Sequence, residues 1–464
     1  MGREPTYRKT DLVVQGILQR IATGSLKPGD RVRSIREEAA LLGIAKNTVV
    51  DAYLRLVAQG TLQSHPGAGY FVSRSVLPPA HGKISPFAGI PNGAALLVEQ
   101  LERRLPIRPG DGRLPADWLG DAALRRAING IRLNAAETFN YNAARGYMPL
   151  RERLCGILGE RGISSAPDQI LMTHGANHAL DLIIRNYVRA GDAVLVDEPG
   201  YYPLFSKLLI AGAQVVGVQR DHEGPSVEHF RSQIQASGAK MFFTQSLAHN
   251  PTGGSLTLAR AYALLQAASA HDMMIIEDDP FGDILPYATP RLASLDQLKQ
   301  VIYVGSFSKT LAASFRCGYL AASRDRVDEL TELAVVTIVS TSTHHERLIY
   351  SLMESGHYLK HLRRLAARLT DAAGQTIGEM EKRGFQMSRP AGPSLYLWVS
   401  APGQAMDDNI VAKAAREGIF VAPATAFLVS GASDWAMRVN VAHGTSPSFL
   451  KWLATIADDM KLAR

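Results

Sequence analysis

Several short segments in the latter part of the chain gather side chains that can do chemistry. Ser306-Phe307-Ser308-Lys309-Thr310 sets a lysine in a serine-rich turn, with Arg316-Cys317-Gly318-Tyr319 just beyond it. Glu277-Asp278-Asp279-Pro280-Phe281 closes an apolar run with carboxylates. His249-Asn250-Pro251-Thr252-Gly253 follows another apolar run, and Glu198-Pro199-Gly200-Tyr201 places an aromatic after a third. Thr173-His174-Gly175-Ala176-Asn177 offers small residues and free amides where a helical pattern begins, which suits a phosphate. Many strand–Gly–helix joints bind nothing, so that segment alone decides little.

The elements that must position these residues are legible. Strands are predicted at Gln169–Met172, Ala193–Val196, Gln214–Val218, Met241–Gln245, Met273–Ile276 and Val301–Val304, with helices between them, such as Ala176–Ala190 and Leu256–His271. Strand and helix in alternation predict an α/β domain with a mostly parallel sheet. Ligands of such sheets bind beyond the carboxyl ends of the strands, where the polar segments lie.

Taken in order, Asn250-Pro251-Thr252-Gly253, Asp278-Asp279-Pro280 and Ser306-x-Ser308-Lys309-x(6)-Arg316 resemble the fold-type I enzymes of pyridoxal 5′-phosphate (PLP), the aspartate aminotransferase-like group, over residues 113–464 with a small C-terminal subdomain. The resemblance implies that Lys309 forms a Schiff base with the cofactor aldehyde and that Asp278 pairs with the ring nitrogen, making the ring an electron sink. It implies that Asn250 donates to the ring hydroxyl and that Tyr201 stacks on the ring. Gly175, Ala176, Asn177, Ser306, Ser308 and Arg316 would hold the phosphate, for which the arginine fork is well shaped. Arg438, in Met437-Arg438-Val439-Asn440, resembles the arginine that binds a substrate or effector carboxylate. Tyr141 resembles the tyrosine that reaches a neighbouring subunit's phosphate, which implies a homodimer; its other reading is an ordinary buried tyrosine. Asp279 is expected to be structural. One position departs from the group. Phe281 stands where a tyrosine is common, so the ring oxygen would lose a donor worth about 0.5–1.5 kcal/mol and inefficient transamination is expected.

The N-terminal part has a different character. Residues 1–83 hold 12 Lys/Arg against 6 Asp/Glu, which places +6 of the chain's net +7 in its first sixth. That asymmetry fits a nucleic-acid-binding module, or a solvated basic face. Leu12, Val13, Ile17, Leu18 and Ile21 have helical spacing, and Ser34 with Glu37 forms a capping box for a second helix that stops at Gly43. A third helix opens at Lys46 or Asn47 and runs to Gly60. Thr61–Ser64 and Tyr70–Val72 read as a hairpin around His65-Pro66-Gly67-Ala68-Gly69. The ordered set, from Leu26-x-Pro28-Gly29-Asp30-Arg31 through Asn47-Thr48-Val49-x-x-Ala52-Tyr53 to Gly69-Tyr70-Phe71-Val72, resembles the GntR-type winged helix-turn-helix domain. Its third helix would enter the major groove. Lys46 and Asn47 would then face base edges, Arg36 a guanine or a phosphate, and Ser34 and Thr48 phosphates. Tyr53 reads either as a phosphate contact or as a core residue. The chain departs from the family at Arg33, where proline is usual and which adds a donor near DNA, and at Ala45-Lys46, where Ser-Arg is usual.

Residues 1–75 are thus expected to be the DNA-binding domain, 76–112 a linker containing a short helix at Ala94–Leu105, and 113–464 the PLP-binding domain. No apolar run spans a bilayer and no secretory signal is visible, so no membrane role is expected. Two distant cysteines, Cys155 and Cys317, exclude a disulfide framework and a cysteine-based zinc site, no metal is expected, and the cytoplasm is the expected compartment. The order of the modules resembles the MocR group. That resemblance implies a homodimeric regulator that binds double-stranded promoter DNA and senses PLP, an amine or an amino acid. The alternative is an aminotransferase with an accessory DNA-binding domain.

Overall fold

The computed structural model describes residues 29–58, 61–65, 69–72, 93–120, 122–130, 139–286, 289–407, 409–431 and 434–462, and in the N-terminal stretch residues 10, 13, 14, 16, 17, 20, 25 and 26. The sequence readings at Leu12, Leu18, Ile21, Pro28, Gly60 and the hairpin tip 66–68 lie outside the described residues. The chain divides into two units, Met1–Ser85 and Pro86–Arg464.

In the first unit, Ser34 starts α1 (Ile35–Leu42) with a capping box: its hydroxyl accepts from the Glu37 N–H at 3.3 Å, and the Glu37 carboxylate accepts from the Ser34 N–H at 2.8 Å. Gly43, at φ +63°, ends the helix in the left-handed region. After a two-residue turn comes α2 (Lys46–Ala58). Strands β1 (Leu62–His65) and β2 (Gly69–Val72) pair antiparallel, and residues 29–32 bond along the outer side of β2. Val13, Ile17, Leu26, Val32, Ala39, Val49, Ala52, Leu56, Leu62 and Val72 form one buried core beneath these elements.

The second unit is built on eight strands: β3 (Ile170–Thr173), β4 (Ala193–Glu198), β5 (Gln214–Asp221), β6 (Gly224–Pro225), β7 (Met241–Thr244), β8 (Met274–Asp279), β9 (Val301–Ser306) and β10 (Gly318–Ala321). Their order in the sheet is β3-β10-β9-β8-β7-β4-β5-β6. The run β9-β8-β7-β4-β5 is parallel; β10 lies antiparallel between β3 and β9, and β6 is antiparallel to β5. Successive residues point to opposite faces, so Phe242, Ile275 and Val301 enter one apolar layer while Phe243, Ile276 and Ile302 enter the other. Burial on both faces explains why these strands read as unbroken apolar runs. A smaller antiparallel sheet follows, in the order β11-β12-β14-β13, from β11 (Gln386–Met387), β12 (Tyr396–Ala405), β13 (Ala422–Pro423) and β14 (Asp434–Asn440). Among the described residues no helix is long and apolar enough to cross a membrane.

The expected linker is corrected over its second half. Residues 93–112 belong to the second unit: Gly93–Glu102 is helical, and 105–113 forms a strap tied to the small sheet. Ile107 and Gly110 exchange backbone hydrogen bonds with Gly418 and Phe420, and the Asn440 N–H donates to the Pro109 carbonyl. Arg108 is buried against Glu99 at 3.0 Å and Asp111 at 2.8 Å. The strap approaches its neighbour so closely that a Cβ on Gly110 would lie 2.5 Å from the Val421 carbonyl carbon. Both sides of that contact are backbone, so Gly110→Ala should destabilise the second unit by about 1–3 kcal/mol. Chemical denaturation of the purified chain checks this; an unchanged midpoint would mean the strap can lift away without cost.

Candidate functional site

Polar side chains converge where the parallel strands end. Asp278 lies one residue from the end of β8, Lys309 follows β9, Asn250 and Gln245 follow β7, and Tyr201 follows β4. The small sheet contributes Arg438 from β14, paired across from Trp398, and Tyr396 from the start of β12. The strap closes the group. The Lys309 ammonium donates to the Gly112 carbonyl, to which the Tyr396 hydroxyl also donates at 2.9 Å.

Arg438 is almost wholly buried. Its guanidinium donates to Asn250 Oδ1 at 2.9 Å and to the Gly110 carbonyl at 2.6 Å, between the rings of Tyr396 and Phe427 at 4.8 and 5.0 Å. Asp278 accepts from Gln245 Nε2 at 2.6 Å through one oxygen, while Oδ1 is buried with no hydrogen-bond partner. Burial pushes the Asp278 carboxyl up to about 7, against the Gln245 hydrogen bond, with Asp279 adding repulsion. Burial and the Arg438 charge bring the Lys309 amine down to about 8. Burial also raises the Tyr201 hydroxyl, with Asp278 adding to the effect.

A second cluster borders this one. Gly175, at φ +77°, begins α3 (Ala176–Tyr187), whose first-turn amides, those of Ala176 and Asn177 included, have no intrahelical acceptor. A Cβ on Gly175 would meet the Arg316 guanidinium at 3.2 Å and Ser308 Oγ at 3.4 Å, so those three converge. Ser308 Oγ is buried without a partner, the Ser306 hydroxyl accepts from the Ser308 N–H at 3.2 Å, and Arg316 donates to the His174 carbonyl at 3.0 Å. A cavity of 410 Å³, lined in part by Asp111, Arg113, Ser308, Phe315 and His443, opens beside them.

The second unit thus holds both sets. Of the residues singled out in the sequence, the buried Asp278, Asn250 and Arg438 and the half-buried Lys309 and Tyr201 form the first group, and Gly175, Ala176, Asn177, Ser306, Ser308 and Arg316 the cluster beside it. Tyr141 stands outside both and is 83% exposed. Asp279 is buried against Arg291 at 2.9 Å and the Tyr303 hydroxyl at 2.7 Å. Phe281 is buried edge-on to Tyr396, with ring centres 5.8 Å apart. Gln245, Tyr396, Gly110 and Gly112 were not singled out. Gln245 stood at a predicted strand end, and the glycines stood in Pro109-Gly110-Asp111-Gly112, which reads as irregular chain.

In the first unit Arg33, Ser34, Arg36, Lys46 and Asn47 are exposed around the start of α1 and α2, and Thr48 is half-buried. Arg33 also lies 3.6 Å from Glu38. Tyr53 is not part of this surface, which corrects its reading as a phosphate contact. It is fully buried, its hydroxyl donates to the Arg33 carbonyl at 2.8 Å, and its ring packs edge-on to Tyr70.

Residues 116–455 match the model of the family aminotransferase class I and II. The chain belongs to that family. Residues 9–72 match the bacterial regulatory proteins of the gntR family, so the first unit is a domain of that type. The HTH-type transcriptional regulator TauR of Rhodobacter capsulatus is 30% identical over 91% of this chain and 89% of its own length. The probable rhizopine catabolism regulatory protein MocR of Rhizobium meliloti is 29% identical over 74% of this chain and 71% of its own. Pyrococcus horikoshii kynurenine aminotransferase shares the fold, with a TM-score of 0.73 at 24% identity over 84% of this chain and all of that one.

The raised Asp278 carboxyl has a consequence for this family member. A carboxyl raised by burial holds its proton in the folded chain after the unfolded chain has lost it, so stability falls as pH rises towards about 7. Asp278→Asn should therefore raise the thermal midpoint of the cofactor-free protein at pH above about 7, and the gain should shrink as pH drops below that value. A gain independent of pH would show that the carboxyl carries no such penalty.

Proposed function

We propose that this chain is a transcriptional regulator whose first unit reads double-stranded promoter DNA and whose second unit holds PLP and senses PLP itself, an amine or an amino acid. The observation that carries the reading is the pairing of a gntR-type head with a buried group containing Lys309, Asp278 and Arg438. The names of TauR and MocR support the regulatory half.

The residues present fit the cofactor. Asp278 Oδ1 and Ser308 Oγ are buried and unpartnered, the first suited to a protonated ring nitrogen and the second to a phosphate oxygen. Gly175 leaves open the space between Arg316 and Ser308 that a side chain would fill. Lys309 would bond to the aldehyde carbon, and its lowered amine is partly unprotonated near neutral pH. Asn250 has its oxygen on Arg438, and its amide N–H groups would serve the ring hydroxyl. Tyr201 would lie against the ring, and Gly175, Ala176, Asn177, Ser306, Ser308 and Arg316 would take the phosphate. The cofactor, when bound, supplies an aldehyde for amines and an electron-withdrawing ring. Arg438 would take the carboxylate of an amino-acid effector, exchanging the Gly110 carbonyl for it. The exposed Tyr141 fits a homodimer in which it reaches the other subunit's phosphate.

On DNA, Lys46 and Asn47 would face base edges from the start of α2, with Arg33, Ser34, Arg36 and Thr48 set for phosphates and flanking bases. An aminotransferase is the second reading, favoured by the family match and by the presence of Lys309, Asp278, Asn250, Tyr201 and Arg316, the principal residues that would hold the cofactor. Multiple turnover with a keto-acid acceptor would establish it.

In a mobility-shift assay on the DNA upstream of this gene, at near-physiological salt with competitor present, Asn47→Ala should lower specific affinity by about 1–3 kcal/mol and spare nonspecific binding. An equal loss on both DNAs would place Asn47 on the backbone only. Lys309→Ala should keep DNA affinity and lose the response to PLP or amines. Equal responses from Lys309→Ala and the wild type would overturn the sensing role.

A further inference from the structure

Gln245 lies one residue beyond β7, is buried, and uses both ends of its side-chain amide. Its Nε2 donates to Asp278 Oδ2 at 2.6 Å, and its Oε1 accepts from the Asn250 backbone N–H at 2.8 Å. Its own backbone N–H donates to Asp197 Oδ2 at 3.0 Å, and that carboxylate is held in turn by the Thr244 hydroxyl at 2.9 Å and by Arg220 at 3.1 Å. The amide can adopt only one orientation here. Turned over, it would set a carbonyl against a carboxylate and an N–H against an N–H.

Two consequences follow for the buried group. Asp278 has one oxygen committed to Gln245, so the oxygen left for a ligand is Oδ1, which is buried and unpartnered. The charges around that carboxylate are Asp279, its chain neighbour, and Lys309 from beyond β9, while Gln245 is its hydrogen-bond donor. At its other end Gln245 fixes the backbone at Asn250, whose side-chain oxygen accepts from Arg438 at 2.9 Å. A continuous path, Asp278···Gln245···Asn250···Arg438, thus joins the carboxylate that faces the ring nitrogen to the guanidinium that faces an effector carboxylate.

We infer that Gln245 is a positioning residue: it selects the Asp278 oxygen offered to a bound pyridine nitrogen and favours the anionic, proton-accepting form of that carboxylate. The inference rests on the PLP reading above. Burial works against the anion, and the Gln245 hydrogen bond is the leading influence working for it.

The test uses the full chain loaded with PLP labelled with ¹⁵N at the ring nitrogen, as wild type, Gln245→Met and Gln245→His. Methionine matches the length and volume of glutamine but donates nothing, whereas histidine changes the shape and retains a donor for Asp278. The wild type should show a protonated ring nitrogen at neutral pH. Gln245→Met should lose that proton at a lower pH than the wild type and bind PLP about tenfold more weakly, as expected for losing a hydrogen bond to a charged group. Gln245→His should keep the ring proton. If Gln245→Met retains the proton and binds PLP within about twofold of wild type, or if the two variants lose the proton alike, the inference is wrong. Should Gln245→Met not fold, Gln245→His decides alone: a retained proton supports the role and a lost one overturns it. A wild type that shows no bound-cofactor signal would instead refute the PLP reading.

Discussion

A guanidinium buried without partners for its charge would unfold the region around it, and Arg438 sits almost wholly out of water. Four separate parts of the second unit meet that demand. The strap gives the Gly110 carbonyl, the turn after β7 gives Asn250 Oδ1, β12 gives the face of Tyr396, and the turn after β13 gives Phe427. Each must hold its place for the others to count, so the small sheet, the strap and the end of the large sheet are fixed together by one side chain. A lysine at 438 could not do the same. Its point charge lacks both the planar fork that reaches two acceptors and the flat face that stacks between two rings.

The DNA-binding unit depends on local chemistry. Ser34 and Glu37 satisfy each other's orphan backbone groups at the start of α1, and Gly43 releases the chain at its end. The tyrosine of α2 then locks the segment before α1 from below, through the Arg33 carbonyl. These contacts lie within a few dozen residues of one another, which is why the head reads as a self-contained module.

That difference also governs what could be read in the sequence. The capping box, the alternating sheet layers, Lys309 and Asp278 were legible because each depends on residue type at short spacing, and the bare lysine and carboxylate stood at predicted strand ends. The strap was not legible. Residues 105–113 carry no periodicity and two glycines, the pattern of a linker, yet they are held by partners more than three hundred positions away, such as Asn440. Tyr53 was ambiguous because burial and DNA contact call for the same amphipathic side chain. Gln245 was invisible because its role lies in the direction of one amide, which only the folded positions of Asp278 and Asn250 determine.

The lowered proton affinity of Lys309 has a cost in chemical selectivity. An amine that is partly free near neutral pH attacks small aldehydes of many kinds, and nothing in the amine itself distinguishes one carbonyl from another. On the proposed function, discrimination would fall to the neighbouring cluster, where Gly175 leaves open the space beside the Arg316 guanidinium and the buried, unpartnered Ser308 Oγ. On that reading an aldehyde lacking a phosphate would find no hold there. The glycine at 175 would then act as a filter on which carbonyl compounds the lysine keeps, although it carries no reacting group itself.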